Sequence, residues 1–476
     1  MRREPSKMAD TVPSALVFED RAYTADELGA LAAGLGGELT ARGVRVGDRV
    51  ALMSSNRPEF VVAVLAVWRI GACVVLISPA WKQDEVAHAV ALTAPVAALG
   101  DSPVLGDLLP MRHLDDPIVA SEDLAAEPDP AADAVLVFSS GTTGMPKAVR
   151  HTYGSLAVAV RQWTEVLGLT GADRIQIATP PSHILGLLNI VTALRAGVWM
   201  RLHRRFDLNT MLSCIQRDRI TIEMAVAPIA IALAAHPELE RYDLSSLRYI
   251  MWGATPVTAS IAETVTVRTG VPWLPAYGAS ELPVIACNPL AGARLDSVGK
   301  AAPGVEIRVV DLDTGKPVAA GETGEIQCRS TSTMAGYLPA EATADAFDGP
   351  WYRTGDVGHV DSDGWIRITD RAKEMIKVRG FQVAPAEIEA VLHDHPLVAD
   401  CAVFGTPDPH DGEAVVAAVA VLDTVAADEL ITLVGDRLAS YKRPRRVVFV
   451  PEIPRLPSGK VLRRVLEERH GRPTDQ

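Results

Sequence analysis

An apolar run at residues 134–138 and a second one opening at Ala148 and Val149 enclose Ser-Ser-Gly-Thr-Thr-Gly-Met-Pro-Lys, residues 139–147. Two buried strands joined by such a loop constrain the chain more than any other feature in it. Gly141 and Gly144 accept φ > 0 without a Cβ clash and let backbone N–H groups turn toward an anion. Ser139, Ser140, Thr142 and Thr143 add hydroxyl donors, and Lys147 adds charge. The combination predicts a loop that holds phosphate oxygens. It is not a Walker A loop, which needs Gly before the lysine and Ser or Thr after it, where Pro146 and Ala148 stand.

Around that loop the spacing of apolar residues predicts an α/β body. Residues 23–39 have helical periodicity, with Thr24 and Glu27 in capping-box spacing. A strand at 50–53, a helix at 59–69, a strand at 73–77 and another at 96–99 follow, the βαβ signature of a parallel sheet covered on both faces. Residues 101–133, rich in Asp, Pro and Ala, read as a surface connection. Helices are expected at 154–167 and 256–268, and a strand at 174–178. Near residue 300 the pattern changes to short β runs, 305–310, 325–328 and 365–368, which predict a small barrel-like β unit. A polar segment at 370–373 then precedes a compact α+β pattern ending near Arg464.

The 476 residues allow about three domain-sized units, or one large α/β body and something smaller. A net charge of −13 argues against general nucleic-acid or anionic-membrane binding. Cys73, Cys214, Cys287, Cys328 and Cys401 are scattered, with no C-x-x-C pair, and read as buried or idle thiols of a reducing compartment. The basic N-terminus has no apolar stretch behind it, and no run is long enough to span a bilayer. The expectation is a cytoplasmic protein without stable membrane insertion.

Further segments carry chemistry. His183 stands at a strand-to-helix turn. Gly253-Ala254-Thr255-Pro256, Tyr277-Gly278-Ala279-Ser280-Glu281 and Tyr352-Arg353-Thr354-Gly355-Asp356 are followed by Arg371 and Lys373, then by Lys377-Val378-Arg379-Gly380-Phe381 and Pro457-Ser458-Gly459-Lys460. In this order they resemble the adenylate-forming superfamily, which includes acyl-CoA synthetases, firefly luciferase and the adenylation domains of nonribosomal peptide synthetases. The resemblance runs from about Tyr23 to Arg464, and its middle region is similar to hydroxycinnamate ligases. Ala148 stands where Gly is usual, and Trp252 where a small residue is.

The resemblance implies an N-terminal domain over 1–370, a hinge at 371–373 centred on Lys373, and a mobile C-terminal domain over 374–476. It implies that Gly253, Ala254 and Thr255 lie along adenine, that Tyr277 stacks on it beside Gly278, and that Ser280 meets the α-phosphate. Glu281 would bind Mg²⁺, a hard cation that bridges carboxylate and phosphates. Asp356 would accept hydrogen bonds from both ribose hydroxyls, with Arg371 beside it. His183 would lie beside the acid's carboxylate, Lys460 would drive adenylation, and Lys377 and Gly380 would serve the second half-reaction.

The expected reaction is attack of a carboxylate on the α-phosphate of ATP, giving acyl-AMP and pyrophosphate, followed by thiol attack that expels AMP. Coenzyme A is the favoured acceptor. A carrier-protein phosphopantetheine thiol is the alternative, and a catalytically silent nucleotide-binding regulator is the reading from another class. Lys442, Arg443, Arg445 and Arg446 form a basic cluster that would meet CoA phosphates or is a solvated strip. Pro454 and Gly459-Lys460 have the spacing of relatives silenced by a lysine acetyltransferase. Residues 183–190 contain no acid to pair a substrate amine, which disfavours amino acids. Leu185, Asn189, Trp252, Ala276 and Leu282 are the pocket candidates, with Trp252 and Ala276 expected to shorten it for a short or medium aliphatic or alicyclic acid.

Overall fold

The computed structural model describes residues 14–122, 128–139, 146–254, 259–379, 381–408, 410–455 and 461–471. Two large sheets make the body. One runs in the order Lys300–Ala301, Ala286–Cys287, Trp273–Tyr277, Tyr249–Trp252, Ile222–Ala225, Arg174–Ile177, Trp199–Leu202, Ser14–Phe18, Arg21–Thr24, and its middle six strands are parallel. The other has the order Gly336–Leu338, Lys147–Thr152, Asp133–Ser139, Cys73–Ile77, Arg49–Met53, Ala97–Gly100, Met111–His113. Its parallel strands are nearly continuous apolar runs because both faces are covered.

The main core lies between the sheets. Val50, Leu52, Val74, Leu76, Val135 and Val137 of one sheet and Ile175, Ile177, Met200, Met224 and Met251 of the other share it with the helices Ala25–Ala41, Pro58–Arg69, Tyr153–Val166 and Ile184–Arg195. Strand alternation sends Ala51, Met53, Val75 and Ile77 to a second core on the far face of the first sheet. Likewise Ile250, Trp252 and Trp273 enter a third core on the far face of the other. Thr24 caps the first helix as its spacing predicts, its Oγ1 accepting from Glu27 N at 3.1 Å while Glu27 Oε2 accepts from Thr24 N at 2.7 Å.

Residues 101–133 are more than a surface connection. Pro103–Gly106 is a helical turn, Met111–His113 extends the sheet beside Ala97–Gly100, and both Leu105 and Arg112 are buried. Arg112 gives its guanidinium to Glu38 and to the carbonyls of His113, Asp116 and Pro117. A three-residue strand has too few positions to register as periodic. The β unit after residue 300 is an antiparallel sheet, Glu306–Val310, Gly324–Arg329, Trp351–Val360 and Phe347–Asp348, with Ile366–Arg371 on the long strand's other half. Its strand path is open, not a closed ring.

Beyond it, the small C-terminal domain builds a sheet from Phe381–Val383, Ile376–Val378, Gly412–Val421, Val398–Asp408 and Arg446–Phe449, with its own core around Val403, Ala417 and Val419. All five cysteines are buried and free. Among the described residues no helix is long and apolar enough to cross a membrane.

Candidate active site

Asp356 is the most constrained carboxylate of the site. It sits 4% exposed on the long strand Trp351–Val360, where Asp356↔Arg371 is a cross-strand pair. The Nε of Arg371 lies 2.6 Å from Oδ1, and the Tyr277 hydroxyl donates to Oδ2. Burial pushes the carboxyl up, while the Arg371 charge and the Tyr277 hydroxyl hold it down, with Lys373 adding to the pull. Arg371 is raised by its carboxylate partner despite the opposing cost of burial. The segments named for ribose, adenine and hinge therefore meet at one group.

Tyr277 ends the strand Trp273–Tyr277, and the turn that follows needs glycine: a Cβ on Gly278 would stand 2.1 Å from the Pro283 carbonyl oxygen. That turn delivers Glu281, 8% exposed, whose Oε1 accepts from the Tyr337 hydroxyl at 2.7 Å. The preceding carbonyl, of Ser280, is 2.7 Å from His151 Nε2. Burial holds His151 near pKa 4, so its ring is neutral. Ser139 and Lys147 face each other where the strands Asp133–Ser139 and Lys147–Thr152 end, as expected of a loop strung between two strands. The Lys147 ammonium lies 5.5 Å from the Tyr337 ring centroid. Tyr352, 5% exposed, feels the charges of both Glu281 and Asp356, which joins the two halves of the cluster.

Gly253 is buried at the end of Tyr249–Trp252, and Ala254 follows it at φ 65°. An alanine held there stores on the order of 1 kcal/mol of backbone strain, a cost that collects at functional segments. His183 is the N-cap of Ile184–Arg195, with its ring open to solvent but enclosed by enough protein that desolvation lowers its pKa. Leu185, Ala276 and Leu282 pack at the main core on the same side.

Two pocket expectations change. Trp252 does not face that side: it is 1% exposed in the core across the sheet, its ring 5.1 Å from Trp273, because Met251 takes the inward position. Its ring belongs to a different core from Leu185, Ala276 and Leu282. Asn189, also 1% exposed, is a helix-to-helix tie whose Oδ1 accepts from the Trp163 indole at 2.8 Å.

Lys377 is exposed on Ile376–Val378 in the C-terminal sheet, and its backbone N–H bonds Glu413 at 2.6 Å. Ser140, Gly141, Thr142, Thr143, Gly144, Thr255, Gly380 and Lys460 lie outside the described residues. Tyr337 and His151 were missed from the sequence, being a lone tyrosine after a glycine and a lone histidine in a strand of mixed polarity.

A lysine at a strand end near one of two held carboxylates, on a body of parallel sheets, is an arrangement that suits a nucleotide and its phosphates. Comparison with known proteins narrows the class. The AMP-binding enzyme model matches residues 7–338, and the AMP-binding enzyme C-terminal domain model matches residues 387–460. The chain is 35% identical to 4-coumarate–CoA ligase 1 of Oryza sativa subsp. japonica over 470 residues, covering 90% of this chain and 83% of that protein. It is 33% identical to feruloyl-CoA synthase of Amycolatopsis sp, covering 94% of each. Among solved structures it superimposes on ATP-bound MatB from Rhodopseudomonas palustris with a TM-score of 0.92 at 28% identity, over 98% of this chain and 97% of that one. It also matches o-succinylbenzoate-CoA synthetase (MenE) from Bacillus subtilis in complex with ATP and magnesium, with a TM-score of 0.86 at 30% identity over 95% and 96% of the two chains. The chain belongs to the AMP-binding enzyme family, whose members form acyl adenylates.

Proposed function

We propose a division of work among these residues for an enzyme that turns a carboxylic acid, ATP and coenzyme A into acyl-CoA, AMP and pyrophosphate. The observation that carries it is the meeting of Glu281 and Lys147, from separate segments, on Tyr337, with Asp356 held by Arg371 and Tyr277, the strand-end residue four positions before Glu281. Asp356, already oriented by Arg371 and Tyr277, accepts the ribose hydroxyls through its remaining lone pairs. Gly253, Ala254 and Tyr277 flank adenine. Ser139 and Lys147, with the loop between them, hold the phosphates, and Ser280 meets the α-phosphate.

The donors suit a magnesium ion. Glu281 keeps Oε2 after Oε1 is taken by Tyr337, and one carboxylate together with substrate phosphate oxygens is a usual Mg²⁺ set. Among the described residues no group of three or more His, Cys, Asp or Glu could hold a metal. When bound, the ion supplies positive charge to the phosphoryl oxygens. Lys460 supplies further charge as the carboxylate attacks the α-phosphorus. Rotation of the domain from residue 374 onward about Lys373 then brings Lys377 and Gly380 to the site for thioester formation. Lys442, Arg443, Arg445 and Arg446 are placed in this reading on the CoA phosphates, and Lys460 is the acetylation target.

Replacing Lys460 by Ala should slow acyl-AMP formation roughly 10²- to 10³-fold while consumption of supplied acyl-AMP with CoA is largely kept. Equal loss in both half-reactions would contradict the division.

With Trp252 turned away, the length argument for the acid rests on Ala276 alone. Leu185, Ala276 and Leu282 remain the apolar candidates for its lining, all packed at the main core. An apolar acid without an α-amino group is the substrate class that fits. Acids from C2 to C16, with benzoate, coumarate and the amino acids, should be compared by AMP release with CoA. Best turnover of an amino acid would overturn the assignment.

A further inference from the structure

We infer that Tyr337 is a positioning residue that sets the Glu281 carboxylate against the phosphate-loop lysine, and so fixes where a divalent cation sits on bound nucleotide. This rests on the reading of Glu281 as the metal carboxylate.

The strand Gly336–Leu338 runs antiparallel to Lys147–Thr152, with Gly336↔Arg150, Tyr337↔Val149 and Leu338↔Ala148. Tyr337 is thereby registered against the strand that begins with Lys147. Its backbone N–H donates to Thr343 Oγ1 at 2.9 Å, so the residue is held apart from its side chain's own bond. From that fixed base the hydroxyl reaches Glu281 Oε1 at 2.7 Å, and the ring lies under the Lys147 ammonium at 5.5 Å. The backbone repeats the tie, since Met334 N donates to the Glu281 carbonyl at 2.8 Å and Ala335 N to the Arg150 carbonyl at 2.8 Å.

Lys147 and Glu281 are 134 positions apart in sequence, yet each is placed from the same three-residue strand. A carboxylate with one oxygen fixed presents the other in one direction. Removing such an outer partner costs metal affinity about 10- to 100-fold.

The test is Mn²⁺ binding to the enzyme with ATP, read by water proton relaxation or electron paramagnetic resonance, in wild type, Tyr337→Phe, Glu281→Gln and the double variant. Phenylalanine keeps the ring under Lys147 and the strand pairing, and circular dichroism with thermal unfolding checks that each variant is folded. Tyr337→Phe is expected to weaken Mn²⁺ by about 10-fold or more with metal-free ATP affinity within about two-fold, and to add nothing in the Glu281→Gln background. Weakening by Glu281→Gln but not by Tyr337→Phe overturns the inference and leaves the metal reading intact. Equal extra loss in the double variant makes Tyr337 merely structural and overturns it too. Unchanged binding in Glu281→Gln overturns both.

Discussion

A buried carboxyl shows what surrounds it through its proton. Asp356 has two partners, but Glu223, 2% exposed on Ile222–Ala225, has an amide donor from Gln176 on one oxygen and a second oxygen left without a side-chain or backbone partner. Desolvation raises it from 4.5 to about 8. Unfolded, the group would ionise near 4.5; folded, it holds its proton to about pH 8, so the native state binds more protons in that interval and stability falls as pH rises through it. His151 and His203, both held near 4 by burial, run the other way and add stability between about pH 4 and 6.5. The Glu223 loss is therefore uncovered above pH 6.5. Between pH 6.5 and 8 the wild type should lose roughly 1–2 kcal/mol in denaturant unfolding, and Glu223→Gln, which keeps an acceptor for Gln176, should lose much less. Identical slopes in the two proteins would contradict the assignment. At this scale the motifs pointed to residues that do make side-chain contacts far along the chain, Tyr277 with Asp356 and Glu281 with Tyr337. The sequence was silent on which way a side chain turns. Trp252 could be read as pocket only until alternation with Met251 was known, and nothing adjacent to Tyr337 announces Glu281.

Elements with enough positions to repeat were legible. The strand Cys73–Ile77 falls on its expected bounds, and the helices Pro58–Arg69 and Tyr153–Val166 lie within a residue of theirs. Met111–His113 and Gly336–Leu338 were not seen, because three residues carry no period and their places are set by partners far along the chain. One contact across the polar segment at 370–373 was equally hidden. Asp370, 9% exposed, accepts from Arg371 N at 2.7 Å and from Ala386 N at 2.9 Å, near the start of the helix Pro385–His393. A residue before the expected hinge thus caps the first helix after it. Asp370→Ala should cost about 1 kcal/mol at that helix end, read as roughly five-fold faster amide exchange over 385–390 at pH 7. Unchanged exchange would leave the contact without energetic weight. Burial raises this carboxyl to about 6, so the ionised acceptor is lost as pH falls through that value.

In the whole molecule the two large sheets position everything else. Their shared core fixes the strand ends from which Lys147, Tyr277 and Glu281 project, and the antiparallel unit brings Asp356 and Arg371 to the same place. The order of the motifs made this arrangement readable in the sequence, since each segment of the family pattern implies a partner elsewhere. The acid's pocket was not readable, because its lining is apolar and apolar residues fill cores and pockets alike. The chain joins an acid to CoA through an acyl adenylate. That reaction is measured most directly by the product balance of wild-type enzyme with ATP, Mg²⁺, CoA and a turned-over acid. One AMP, one pyrophosphate and one acyl-CoA should form per acid consumed, with acid-dependent exchange of pyrophosphate into ATP when CoA is left out. ADP and phosphate as products, or thioester without that exchange, would contradict it.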